Sequence, residues 1–100
     1  MGYILKDRPG VINDNSVTVT VINNTIPILP GNYLQSIVIN PINGDTINIG
    51  TTPAGSEIVN QTPLTANINN TVLVEKKFDV ATTLYFTGLT GNATVTLYKR

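Results

Sequence analysis

The stretch Ser16-Val17-Thr18-Val19-Thr20-Val21-Ile22 decides the fold class. Its alternation throws Val17, Val19 and Val21 to one face and Thr18 and Thr20 to the other. That is the pattern of an antiparallel strand with one face buried and one solvated. The same two-residue period returns at Ile47 and Ile49, set between Thr46 and Asn48. It returns again at Leu84 and Phe86, set between Thr83 and Tyr85, and at Val95 and Leu97 in the last strand. Together with Ile37 and Ile39 these residues form the expected core, because each holds the apolar phase of its strand.

Composition supports this reading. In 100 residues there are 15 Thr, 12 Ile and 10 Val, all β-branched, but only 4 Ala, 2 Glu and 2 Gln. Side chains branched at Cβ lose rotamer freedom in a helix and pack well on a pleated sheet. The 13 Asn supply turn residues that tolerate positive φ. The chain is read as all-β, an antiparallel β-sandwich of jelly-roll-like form, built as a single domain over residues 1–100.

Turn residues divide the strands. A short strand over residues 3–6 ends at Arg8-Pro9-Gly10, and Asn23-Asn24 closes the strand over residues 16–22. Pro27 and Pro30 confine residues 25–29 to a sheet edge or to an extended segment hugging the wall of the sandwich. The run Ile37-Val38-Ile39 reads as a strand buried on both sides. Asn43-Gly44 is a hairpin signal joining it to residues 45–49. Further strands are expected at Ile58-Val59, at residues 64–68 and at residues 72–74, with Glu75-Lys76-Lys77 solvated. Residues 82–87 and 93–99 are expected to pair across Gly88-Leu89-Thr90-Gly91-Asn92.

The chemistry available is narrow. There is no Cys and no His, which removes thiol nucleophiles, imidazole acid–base catalysis and zinc sites built on those ligands. The six acids, Asp7, Asp14, Asp45, Glu57, Glu75 and Asp79, form no local motif. Asp14 within Asn13-Asp14-Asn15 lacks the spacing of a Ca²⁺ loop. Residues 50–56 lack the Lys and the following helix of a phosphate loop. Three Ser without His make no triad. The expectation is a protein that is not an enzyme, with no catalytic residue, no cofactor and no metal. Six basic against six acidic residues leave zero net charge, so a nucleic-acid partner is not expected. No segment approaches the roughly 20 apolar residues of a membrane helix, and residues 1–5 do not read as an export signal. Four Asn-x-Thr triplets, starting at Asn23, Asn60, Asn69 and Asn92, follow from the Asn and Thr content.

One bias points to association. Residues 15–44 contain no charged side chain. Exposed strands are normally defended by charge, so this region is either core or covered by another chain. Val17, Val19 and Val21, with Tyr85 and Tyr98 from the last two strands, are the candidate interface residues; the two tyrosines could share a face. Residues 1–30 are a candidate docking or swapped segment, against the alternative that the valine stripe fills a sheet of its own sandwich.

Two stretches resemble a known group. They are Asn48-Ile49-Gly50-Thr51-Thr52-Pro53-Ala54-Gly55-Ser56-Glu57-Ile58-Val59 and Thr82-Thr83-Leu84-Tyr85-Phe86-Thr87-Gly88-Leu89-Thr90-Gly91-Asn92-Ala93-Thr94-Val95-Thr96-Leu97-Tyr98. Their turn glycines and alternating strands resemble the small β domains of tailed-bacteriophage virion proteins: head decoration proteins, head fibres and terminal domains of tail fibres. The likeness covers roughly residues 33–100. Pro53 departs from the pattern, as does the lack of an aromatic after Thr90-Gly91. The resemblance implies a virion location, a homotrimer bound to other virion proteins such as the major capsid protein, and no catalytic residues. Recognition of host-surface glycan by a fibre is the alternative it implies.

Overall fold

The computed structural model describes residues 12–13 and 16–99, the first pair by backbone only. Among the described residues nine strands follow one another: β1 (Ile12–Asn13), β2 (Val17–Val19), β3 (Thr25–Ile28), β4 (Asn32–Pro41), β5 (Thr46–Gly50), β6 (Val59–Pro63), β7 (Asn70–Phe78), β8 (Thr82–Thr87) and β9 (Ala93–Lys99). The expected strand over residues 3–6, and Asp7 and Asp14, lie outside the described residues.

The strands form two antiparallel sheets. Sheet one has the order β1–β9–β4–β7, with β2 also paired to β9; sheet two has the order β3–β8–β5–β6. From β2 onward the chain changes sheet at every connection except β5–β6. That winding, with the first and last long segments side by side in one sheet, is a jelly-roll-like sandwich. The expected fold class holds.

The core lies between the sheets. Ile37, Ile39, Ile47, Ile49, Leu84, Phe86, Val95 and Leu97 are all buried, joined by Val19, Ile26, Ile28, Leu34, Val59, Leu64 and Phe78. Two expected core residues are not buried: Val17 is 44% exposed and Val21 54%. Val17 pairs with buried Val95 and so holds the inward phase, but it sits on an edge strand whose flank is open among the described residues. Val21 lies past the end of β2, where the strand alternation no longer applies.

Several local expectations are corrected. The Ile37-Val38-Ile39 strand is not buried on both sides. Val38 is half-buried on the outer face, and β4 changes phase at a bulge against β9: Ser36 pairs with Tyr98 and Leu34 with Lys99, which leaves Gln35 as the extra residue, so that Leu34, Ile37 and Ile39 all point inward. Asn43-Gly44 is not a hairpin but a corner between sheets. Asp45 N–H donates to the Asn43 carbonyl at 3.0 Å, a three-residue turn too tight for a two-residue hairpin loop. Likewise β8 and β9 do not pair. Gly88, at φ +102, leads the chain out of sheet two, and a Cβ there would strike the Thr46 carbonyl oxygen. The strand expected at residues 64–68 is a turn, and the strand precedes it as β6. Glu75-Lys76-Lys77 is exposed as expected, but within β7.

Among the described residues Pro27 does mark an edge: β3 is the first strand of sheet two. Within residues 16–30, β2 pairs with β9 and β3 with β8 of the same chain.

Candidate interaction faces

The connections β4–β5, β6–β7 and β8–β9 meet at one end of the sandwich. Ile42 N–H donates to the Asn92 carbonyl at 3.1 Å, Asn67 N–H to the Pro41 carbonyl at 2.7 Å, and Leu64 N–H to the Asp45 carbonyl at 2.7 Å. Asp45 accepts from the Thr90 N–H and the Thr90 hydroxyl, and Asn43 Nδ2 donates to that same hydroxyl at 2.9 Å. Asn70 organises the β6–β7 turn. Its Oδ1 accepts from Thr65 N–H at 2.9 Å, and its Nδ2 donates to the carbonyls of Thr65, Ile68 and Ile39. Sequence reading missed Asn70, because one Asn among 13 gives no signal of which backbone groups it will satisfy. These polar groups answer one another, so the end is a structural clasp rather than an open site.

At the β5–β6 loop, Glu57 does similar work. Its carboxylate accepts from Thr51 N–H at 3.0 Å and from the Thr52 hydroxyl at 2.8 Å. A hydrogen bond from its own backbone, then those from Thr52 and Thr51, hold its pKa below the ordinary value of 4.5. Gly50 is required here, since a Cβ would run into the Glu57 carboxylate and the Gly55 backbone. This is a self-satisfied loop, as expected for residues 50–56. Among the described residues no three acidic side chains come together.

The two outer faces are the remaining surfaces. On sheet one, cross-strand pairing sets Tyr98, Ser36 and Leu73 in one row, Thr96, Val38 and Thr71 in the next, and Thr18, Thr94 and Asn40 in a third. Ser16 Oγ lies 2.6 Å from Thr96 Oγ1, and Asn40 Nδ2 donates to Asn69 Oδ1 at 3.1 Å. Leu73 is 68% exposed, while Ser36 in the middle of its row is only 9% exposed. On sheet two, Tyr85 stands between Thr25 and Gly50 on the outward phase of β8.

The candidate interface residues therefore separate. Val19 is core, Val17 and Val21 sit at the rim, and Tyr85 and Tyr98 lie on opposite outer faces of the sandwich. The two tyrosines do not share a face, because each central strand alternates independently and the two strands belong to different sheets. They cannot form a joint stacking platform.

No family model, curated protein or solved structure matches the chain.

Proposed function

We propose that this chain is a structural, self-associating virion protein of a tailed bacteriophage. In this reading it decorates the capsid as a homotrimer, held to the major capsid protein and to its own copies. The reading rests on the resemblance of residues 48–59 and 82–98 to small virion β domains. The observation that carries it is the uncharged β surface. Residues 15–44 hold no charge, and the sandwich leaves much of that stretch outside, including Val17, Val21, Ile22, Leu29 and Ile42. Such a surface is an association hazard in a monomer and an asset in an assembly. A jelly roll alone does not supply the function, since the fold serves many.

The test has two parts. Sedimentation of the purified protein at tens of micromolar should give a single species of three chains. Mixing with capsids lacking the protein should then deplete it from solution on pelleting. A monomer that stays in the supernatant would refute both halves.

A further inference from the structure

Among the described residues no strand packs on the outer face of sheet one. Three of its rows are uncharged, with exposed Leu73, half-buried Val38 and half-buried Tyr98 set among Thr, Ser and Asn, and a further row, Tyr33 beside Lys77, carries the charge at one end. The same chain defends β surface elsewhere. Pro27 blocks ladder pairing on edge strand β3, and Glu75, Lys76 and Lys77 charge the second half of β7. The undefended part of β7 is the part that borders the three rows.

We propose that this face is the contact surface between copies of this chain. The inference rests on the self-association reading and locates it. The charge pattern identifies the occupant. A face that meets a copy of itself or of its neighbourhood must carry no net sign, or like charges oppose each other. A nucleic acid or other charged partner would need complementary charge, which the rows lack. A glycan platform would need clustered aromatics; the three rows hold Tyr98 alone, with Tyr33 in the adjoining row beside Lys77. Charge-poor surface that includes a Tyr is also the composition of a protein interface core. Strands spaced about 4.8 Å apart, with rows that run over about five residues, give a footprint of about 19 Å by 17 Å. That is room for an interface core, with the edges β2 and β7 as its rim.

The chain has no cysteine, so a single introduced thiol reports contacts cleanly. Thr96, central on this face, is replaced by Cys, and exposed Thr25 on edge strand β3 of the opposite sheet serves as control. Thr96→Cys should cross-link chains under mild oxidation on a non-reducing gel, because Cα atoms must come within about 7 Å. Thr25→Cys should not. In parallel, Leu73→Lys and Thr96→Lys should sediment as monomers with an unchanged far-ultraviolet spectrum, while Thr25→Lys keeps the native mass. Persistence of the oligomer in both Lys variants, or cross-linking through residue 25 and not 96, overturns the location and leaves self-association standing. A monomeric wild-type protein overturns self-association itself, and this inference with it.

Discussion

Asp45 and Thr90, 45 positions apart, are joined twice: the Thr90 N–H donates to one carboxylate oxygen at 2.9 Å and the Thr90 hydroxyl to the other at 2.8 Å. The contact ties the β4–β5 corner to the β8–β9 corner, both of which cross between the sheets. Hydrogen bonds to a charged acceptor contribute more than neutral ones, though partial exposure of Asp45 reduces this. Asp45→Ala should lower stability by about 1–2 kcal/mol, and Thr90→Ala by less, because the N–H contact survives. Urea denaturation of both variants and of the double variant checks this; the double should cost less than the sum.

Phe86 is the largest fully buried side chain and pairs across sheet two with Ile49. Phe86→Ala should cost about 3–5 kcal/mol, for the lost transfer energy and the cavity left. Ile22, at 87% exposed, is the natural control. Ile22→Ala should stay within about 0.5 kcal/mol, as surface substitutions usually do. A loss under about 1 kcal/mol for Phe86→Ala in chemical denaturation would mean that the phase of β8 is wrong.

The phase of β5, β8 and β9 was legible because a buried face imposes a two-residue period, and Ile47, Ile49, Leu84, Phe86, Val95 and Leu97 keep it strictly. The path of the chain between sheets was not. Asn43-Gly44 announces a reversal, but turn chemistry says nothing about which sheet receives the next strand. That choice is made by long-range contacts such as Asp45 with Thr90. The β4 phase change was also hidden, since Leu34, Ile37 and Ile39 fit one face only once Gln35 is an extra residue against β9. The pairing of Tyr85 with Tyr98 failed for the same reason as the hairpins: adjacency in sequence was taken for adjacency in a sheet. The uncharged run was legible, but not that the outer face of sheet one extends it with Thr71, Leu73, Thr94, Thr96 and Tyr98 from other strands.

The β5–β6 loop should loosen in acid. The pKa of Glu57 is lowered in the folded chain, so its contribution to stability is complete above the ordinary value of 4.5 and is lost as pH falls through the folded value. Protonation weakens the carboxylate as acceptor for Thr51 N–H and the Thr52 hydroxyl. Amide exchange at Thr51, corrected for the intrinsic pH dependence, should accelerate below pH 4.5 in the wild type. In Glu57→Gln that exchange should be faster at neutral pH and should show no such step. A step of equal size in both proteins would assign the titration elsewhere.

Two of the three bulges among the described strands make the last prediction. In sheet one, Leu34 pairs with Lys76 and Ser36 with Leu73, so Val74 and Glu75 together oppose Gln35; Glu75 takes φ +53. In sheet two, Ile47 pairs with Thr62 and Ile49 with Val59, so Asn60 and Gln61 oppose Asn48; Gln61 takes φ +46. Both are left-handed positions occupied by residues with a Cβ, where glycine is the ordinary occupant of such a bulge. The left-handed conformation costs an L-residue about 1–2 kcal/mol, part of which glycine returns through its larger unfolded-state entropy. Glu75→Gly should therefore stabilise the protein by up to about 1 kcal/mol. Gln61→Gly should do likewise, since the contact there is from the backbone N–H to Asn48 Oδ1 at 2.6 Å and does not use the Gln side chain. Glu75→Val is the opposing control: a β-branched residue tolerates this region least, so it should destabilise. If Glu75→Gly and Glu75→Val shift the urea midpoint in the same direction, the left-handed assignment at this bulge is wrong.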